Sequence, residues 1–279
     1  MSPLEKQIEP YEKEIIEIYL VLFIAGLAAI YFFVRNRWRQ TARDWAGIIF
    51  RVSCRPWSWI DLSVIVGAVT SLSVIFAFFL RGKIQPDSFA PLAISMAITH
   101  GTVLLAILAI AGFRRVRLRS AFGGGSHRFL RDIGTGTIGY LSMIVVVCPA
   151  MFATAIILKL LHREPAPQEI LGLFAMQKSV FAKVYFAVWT VLIAPVAEEM
   201  LFRGILLPLL LRVLPSALAI AVVSLGFAGL HGDVTAFLPL FTVSVSLCLA
   251  FLTTESLVVS ITMHALFNSV TTAVLLLTG

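Results

Sequence analysis

The chain has 279 residues, of which 59% are hydrophobic and 13% are charged. Soluble globular domains carry about 25% charged residues, so this composition excludes an ordinary soluble domain and predicts a membrane protein. The net charge is +7, but the arginines are concentrated in two loops, as the positive-inside rule describes, and we predict no nucleic-acid partner.

The apolar segments predict helices, because a backbone in lipid must satisfy its hydrogen bonds within each segment. The length accommodates about eight helices of roughly 20 residues. We therefore predict an all-α polytopic membrane protein of about eight transmembrane helices with an intramembrane polar cavity. The predicted spans are residues 16–34, 60–80, 88–112, 138–160, 182–212, 215–231, 234–252 and 256–277.

The N-terminal region, residues 1–181, contains the first four predicted spans. Its first loop, residues 35–59, carries six arginines and four tryptophans, and a second loop, 113–132, carries six arginines. Tryptophan and arginine favour the headgroup level, so we expect membrane lipids as partners and a short amphipathic helix at 44–53 on the membrane surface. Arginine-rich loops stay in the cytoplasm, which predicts that both chain termini lie outside.

The C-terminal region, residues 182–279, contains four predicted spans, and the first of them carries Glu198, Glu199 and Arg203. An ionised side chain in a bilayer costs at least ~2.5–3.5 kcal/mol, so these residues indicate a functional site in the protein interior. Glu199 and Arg203 are four residues apart and share a helix face, so we expect them to pair. Glu198 points about 100° away, which predicts a separate role for it.

Two later spans carry polar pairs at helical spacing, Phe227 with His231 and His264 with Asn268. Carboxylate, imidazole and carboxamide groups that meet in a lipid-buried cavity can activate a water molecule. They can also stabilise the oxyanion that forms when this water attacks a carbonyl. We therefore expect Glu198, His231, His264 and Asn268 to converge.

Other reactive side chains are interpreted as structural. His100, between Thr99 and Thr102 in the third span, is interpreted as a hydrogen-bonded packing residue outside the site. The three cysteines lie far apart and form no Cys-x-x-Cys pair, which argues against a disulfide framework or a cysteine zinc site.

Three motifs follow one another in the C-terminal region, each on its own predicted span. They are Glu198-Glu199-x-x-x-Arg203, Phe227-x-x-x-His231 and His264-x-x-x-Asn268. Together they resemble the motifs of the CAAX protease and bacteriocin-processing enzyme family, also called the ABI or CPBP intramembrane proteases. The resemblance covers roughly residues 182–279, and residues 1–180 carry no family signature.

This resemblance implies an intramembrane endopeptidase of the glutamate type. Glu198 would be the general base that activates water, and His231 would help to hold that water. His264 and Asn268 would form the oxyanion hole, and the ion pair on the fifth span would support the site.

The resemblance leaves two possibilities for a metal, because some accounts of the family treat it as zinc-dependent. The chain lacks a His-Glu-x-x-His motif, although Glu198, His231 and His264 could supply three ligands. We favour an enzyme without metal or other cofactor.

The predicted function is hydrolysis of a peptide bond in a membrane-tethered peptide or lipidated protein, with a prenylated CAAX tail as one substrate class. The expected location is a prokaryotic plasma membrane. Two alternatives remain open: a non-catalytic membrane scaffold or immunity protein, and a proton-coupled transporter that uses the buried Glu and His residues. Confinement of the polar set to the last hundred residues disfavours the transporter.

Overall fold

The computed structural model describes residues 12–36, 44–80, 89–123, 128–162 and 179–278. Within these ranges the secondary structure is helical, and no strand occurs. The helices are α1 (Glu12–Asn36), α2 (Trp45–Ser53), α3 (Trp59–Leu80), α4 (Phe89–Phe113), α5 (Leu118–Phe122), α6 (Phe129–Leu160), α7 (Val180–Leu210), α8 (Ser216–Leu230), α9 (Phe237–Thr254) and α10 (Leu257–Thr278).

Six of these helices, α3, α4, α6, α7, α9 and α10, are long and apolar enough to cross a membrane. Two shorter apolar helices, Ile16–Tyr31 within α1 and Ser216–Leu230, lie where the first and sixth spans were predicted, so the count agrees roughly with the eight expected. The all-α polytopic fold is confirmed, although α6 begins at Phe129, earlier than the predicted residue 138. The polar cavity, the division at residue 181 and the orientation of the termini stay predictions.

Helix α7 occupies a central position in the bundle. Its middle segment packs against α4 on one side and α10 on the other. Helix α6 packs against α1, α9 and α10, while α8 packs against α9 and α3 against α4. The N-terminal and C-terminal regions are therefore in direct contact at α7.

The largest buried apolar cluster surrounds the C-terminal half of α7. It includes Ile205 from α7, Ile107 from α4, Phe227 from α8 and Phe251 from α9, together with Trp57. A second cluster joins α6, α9 and α10. These two clusters hold α7 and α10 in place, and these helices carry most of the predicted site.

The turn between α9 and α10 is held by two arginines from the N-terminal region. Its residue Glu255 adopts a positive φ of 55°, which is uncommon for a residue with a side chain. Arg51 on α2 donates to the Glu255 carboxylate at 2.8 Å, and Arg55 donates to the Glu255 carbonyl at 3.0 Å. Hydrogen bonds to Glu255 and Asp44 raise the pKa of Arg51. The helix expected at 44–53 is therefore present as α2, and it anchors the start of α10.

A glycine permits the close approach of α6 to α10. A Cβ atom at Gly136 would lie 2.6 Å from Thr262 Cβ and 2.8 Å from the Val259 carbonyl oxygen. Gly134, two residues earlier on α6, has open space at the same position. The absence of a side chain at Gly136 thus sets the distance between these helices.

We expect Gly136→Ala to destabilise the protein by about 1–3 kcal/mol, because added atoms in a packed interior force their neighbours apart. Gly134→Ala is the matched control and should be neutral or stabilising, since alanine is the better helix former. Thermal unfolding in detergent measures both. Equal melting temperatures for the two variants would contradict the close approach.

Candidate active site

The adjacent glutamates lie on a short α-helical segment of α7 between two π-helical turns. The segment is Ala194–Leu201, and the turns are Trp189–Ile193 and Phe202–Leu206. Pro195 and Pro208 follow the two turns. Proline has no backbone N–H, and its ring clashes with the carbonyl four residues earlier in a regular helix. A widened turn accommodates both effects, and such turns are frequent at functional sites.

The first π-helical turn explains the position of Asn268. The Ala194 N–H is bonded to the Trp189 carbonyl, and Pro195 has no N–H, so the Thr190 carbonyl lacks an intrahelical donor. Asn268 on α10 donates its Nδ2–H to this carbonyl at 2.9 Å. The amide retains a second N–H, and the first ties α10 to α7.

Glu199 and Arg203 form the ion pair that their spacing predicts. Arg203 Nη1 lies 2.7 Å from Glu199 Oε1, and both side chains are fully buried. The other Nη of Arg203 donates to the Ser244 carbonyl at 3.1 Å and to the Ser244 hydroxyl at 2.7 Å. The guanidinium also packs over the Phe227 ring, 4.8 Å from its centroid. Arg203 therefore binds groups on α7, α8 and α9.

His264 on α10 lies between the two glutamates. Its Nδ1 is 3.0 Å from Glu199 Oε1, and its Nε2 is 3.8 Å from Glu198 Oε2. Because Glu199 is paired with a permanent cation, its carboxylate accepts the Nδ1–H of His264. The ion pair thus orients the imidazole so that Nε2 faces Glu198.

Glu198 has a different environment from Glu199. Its side chain is 20% exposed, and its Oε1 lies 3.2 Å from the Nε2 of His100. Its Oε2 has no hydrogen-bond partner among the described residues. An Oε2 without a hydrogen-bond partner in the described part of the chain is common to both glutamates. The two carboxylates differ in exposure and partners, because Glu199 is fully buried in an ion pair and Glu198 is partly exposed beside two imidazoles.

The contact with Glu198 corrects the interpretation of His100. The sequence analysis left His100 outside the site, and the structure brings it into direct contact with the glutamate predicted to be catalytic. The rule that ionisable residues inside spans mark functional sites applied to His100 as well. The sequence pattern did not show that α4 packs against α7. This packing brings His100 to Glu198.

His231 lies at the C-terminal end of α8, and its side chain is exposed. Its Nδ1–H donates to the Phe227 carbonyl at 2.8 Å. The Phe227 ring lies 4.8 Å from the His231 ring and 5.7 Å from the His264 ring. The structure therefore places the exposed His231 and the buried His264 against the same Phe227 ring.

A metal site does not emerge from these residues. Among the described residues, no group of three His, Cys, Asp or Glu side chains is placed to hold a metal ion. Glu198, His231 and His264 therefore do not form such a group here, and the absence of a metal stays a prediction.

A comparison with known families gives a match over the segment of the chain that contains the candidate site. Residues 179–270 match the family described as Type II CAAX prenyl endopeptidase Rce1-like. The family resemblance is confirmed over this segment. Curated proteins and solved structures yielded no match. Six helices of the described residues are long and apolar enough to cross a membrane, so the chain is a multi-pass membrane protein. The family match indicates a protease that acts on a peptide or protein.

We expect Arg203→Met to destabilise the protein by about 3–5 kcal/mol, because it leaves the Glu199 carboxylate buried without its cation. Adding Glu199→Gln to that variant should recover part of the loss, since the unpaired charge is then removed. Thermal unfolding in detergent measures both effects. An unchanged melting temperature in the single variant would contradict the structural role of the pair.

Proposed function

We propose that this protein is an intramembrane endopeptidase in which Glu198 activates the attacking water. The observation that carries the proposal is the difference between two adjacent carboxylates. Glu199 is fully buried and paired with Arg203, whereas Glu198 is 20% exposed, contacts His100 and lies beside His264. A partly exposed carboxylate among imidazoles can accept and return a proton.

In the proposed reaction, Glu198 Oε2 takes a proton from a water molecule that His231 helps to hold. The resulting hydroxide forms a C–O bond with the substrate carbonyl carbon, and the carbonyl oxygen becomes an oxyanion. Collapse of this intermediate breaks the C–N bond, and Glu198 delivers its proton to the leaving amine. The enzyme is regenerated with Glu198 ionised.

His264 and Asn268 are the proposed donors to the oxyanion. The Nδ1–H of His264 is already committed to Glu199, so donation from Nε2 requires the imidazolium form. Asn268 would use the second N–H of its amide, since the first is bonded to the Thr190 carbonyl.

The proposed substrate is a membrane-tethered peptide, with a prenylated CAAX-type tail as the first class to test. The family description names a CAAX prenyl endopeptidase, and a lipid anchor would concentrate such a peptide at the bilayer that the six apolar helices cross. We further propose that the arginine-rich loops are cytoplasmic, in agreement with the positive-inside rule.

We expect Glu198→Gln to reduce cleavage of a prenylated peptide by about 10²–10⁴-fold, the contribution that a general base typically makes. The melting temperature should change little, because glutamine keeps the shape of the side chain. Mass spectrometry of the peptide products measures cleavage. Glu17→Gln, an exposed position on α1, is the control and should retain full activity. Wild-type cleavage by the Glu198 variant would refute the proposed mechanism.

Metal independence is tested separately. We expect the purified enzyme to keep its activity after prolonged treatment with a strong chelator, followed by removal of the chelator. Activity that disappears with the chelator and returns with added zinc would show that the hydrolysis depends on a metal.

A further inference from the structure

His100 belongs to α4, outside the segment that matches the family model, yet it contacts the proposed general base. We propose that His100, supported by Trp189, is a positioning residue that binds Oε1 of Glu198 and thereby directs Oε2 towards the reacting water. This inference rests on the proposed function, because it assigns a task to His100 within the same site.

The hydrogen-bonding chemistry of Trp189 determines how His100 can act. The indole Nε1 of Trp189 lies 3.2 Å from His100 Nδ1. An indole nitrogen only donates, so in this contact Nδ1 is the acceptor and the ring proton is on Nε2. The Nε2–H then donates to Glu198 Oε1 across 3.2 Å. The Trp189 contact thus favours the tautomer of His100 that can bind an ionised carboxylate.

A second contact preserves this donor when His100 is protonated. His100 Nδ1 also lies 3.0 Å from the Met96 carbonyl oxygen, which can accept a proton carried by Nδ1. The neutral ring with its proton on Nε2 accepts from Trp189, and the imidazolium donates from Nδ1 to the Met96 carbonyl. Nε2–H points at Glu198 Oε1 in both forms, so the carboxylate keeps its orientation in either state. This constancy suits a positioning residue.

Trp189 is itself held in place from α4. Its ring stacks on Tyr185, with centroids 5.3 Å apart and planes inclined by 20°. The Tyr185 hydroxyl donates to the Ala93 carbonyl at 2.9 Å. Ala93 and His100 are both on α4, so α4 contacts α7 at two points joined by the aromatic stack. The stacked rings of Tyr185 and Trp189 thus hold the His100 imidazole in place relative to Glu198.

The effect on rate follows from the need for accurate geometry. Catalytic groups displaced by about 1 Å can lose 10²-fold in rate. Without a donor on Oε1, Glu198 can rotate and present either oxygen, or neither, to the water. The chemical step should therefore slow, while substrate binding through its peptide and lipid portions is retained.

Substitutions at His100 separate positioning from packing. We expect His100→Leu to lower kcat by about tenfold to a hundredfold with KM unchanged. His100→Gln should recover most of kcat, because its amide N–H reaches the same oxygen. Trp189→Phe keeps a ring to stack on Tyr185 but lacks the indole N–H, and should lower kcat by about twofold to tenfold, the range for one hydrogen bond.

The assay uses the full-length wild-type and variant proteins in detergent, with a prenylated peptide, mass-spectrometric detection and melting temperatures for each variant. Wild-type kcat in His100→Leu, or equal losses in the Leu and Gln variants, would overturn the positioning role. If cleavage depends on Glu198 but not on His100, only this inference fails. Wild-type cleavage that survives Glu198→Gln would overturn both proposals.

Should His100→Leu fail to fold, the Gln and Trp189→Phe variants still decide the question, and unchanged kcat in Trp189→Phe would remove the support assigned to Trp189.

Discussion

The buried ion pair of Glu199 and Arg203 is the interaction on which the rest of the site depends. Neither charge is stable in this interior without the other. Arg203 Nη2 donates to Ser244 of α9, and the flat face of the guanidinium packs on Phe227 of α8. Glu199 in turn accepts from His264 of α10. One pair of charges therefore fixes the relative positions of four helices, and it does so at the centre of the proposed catalytic apparatus.

The prolines of α7 are the second constraint. Each interrupts the regular hydrogen bonding of the helix, and each follows a π-helical turn. The carbonyl left without an intrahelical donor at Thr190 is the one that Asn268 binds. The local irregularity thus provides a binding point for α10, so that a backbone defect in one helix orients a polar side chain of another.

Glu198, unlike Glu199, takes no part in the buried ion pair and is partly exposed. Its environment combines imidazoles from α4 and α10, and the first of these comes from a part of the chain without a family signature. The N-terminal helices therefore contact the proposed site directly. Through Arg51 and Arg55 they also hold the turn that begins α10, the helix that carries His264 and Asn268.

The sequence by itself determined the all-helical class, the positions of the apolar helices and the Glu199–Arg203 pair, because each follows from lipid solvation or from the period of a single helix. The motifs also pointed to the segment around Glu198, His231 and His264. Only the tertiary structure decided that His100 meets Glu198, that Ser244 receives Arg203 and that Asn268 binds Thr190. Helical periodicity predicts which residues share one face of a helix. Which other helix packs against that face depends on the packing of the whole bundle.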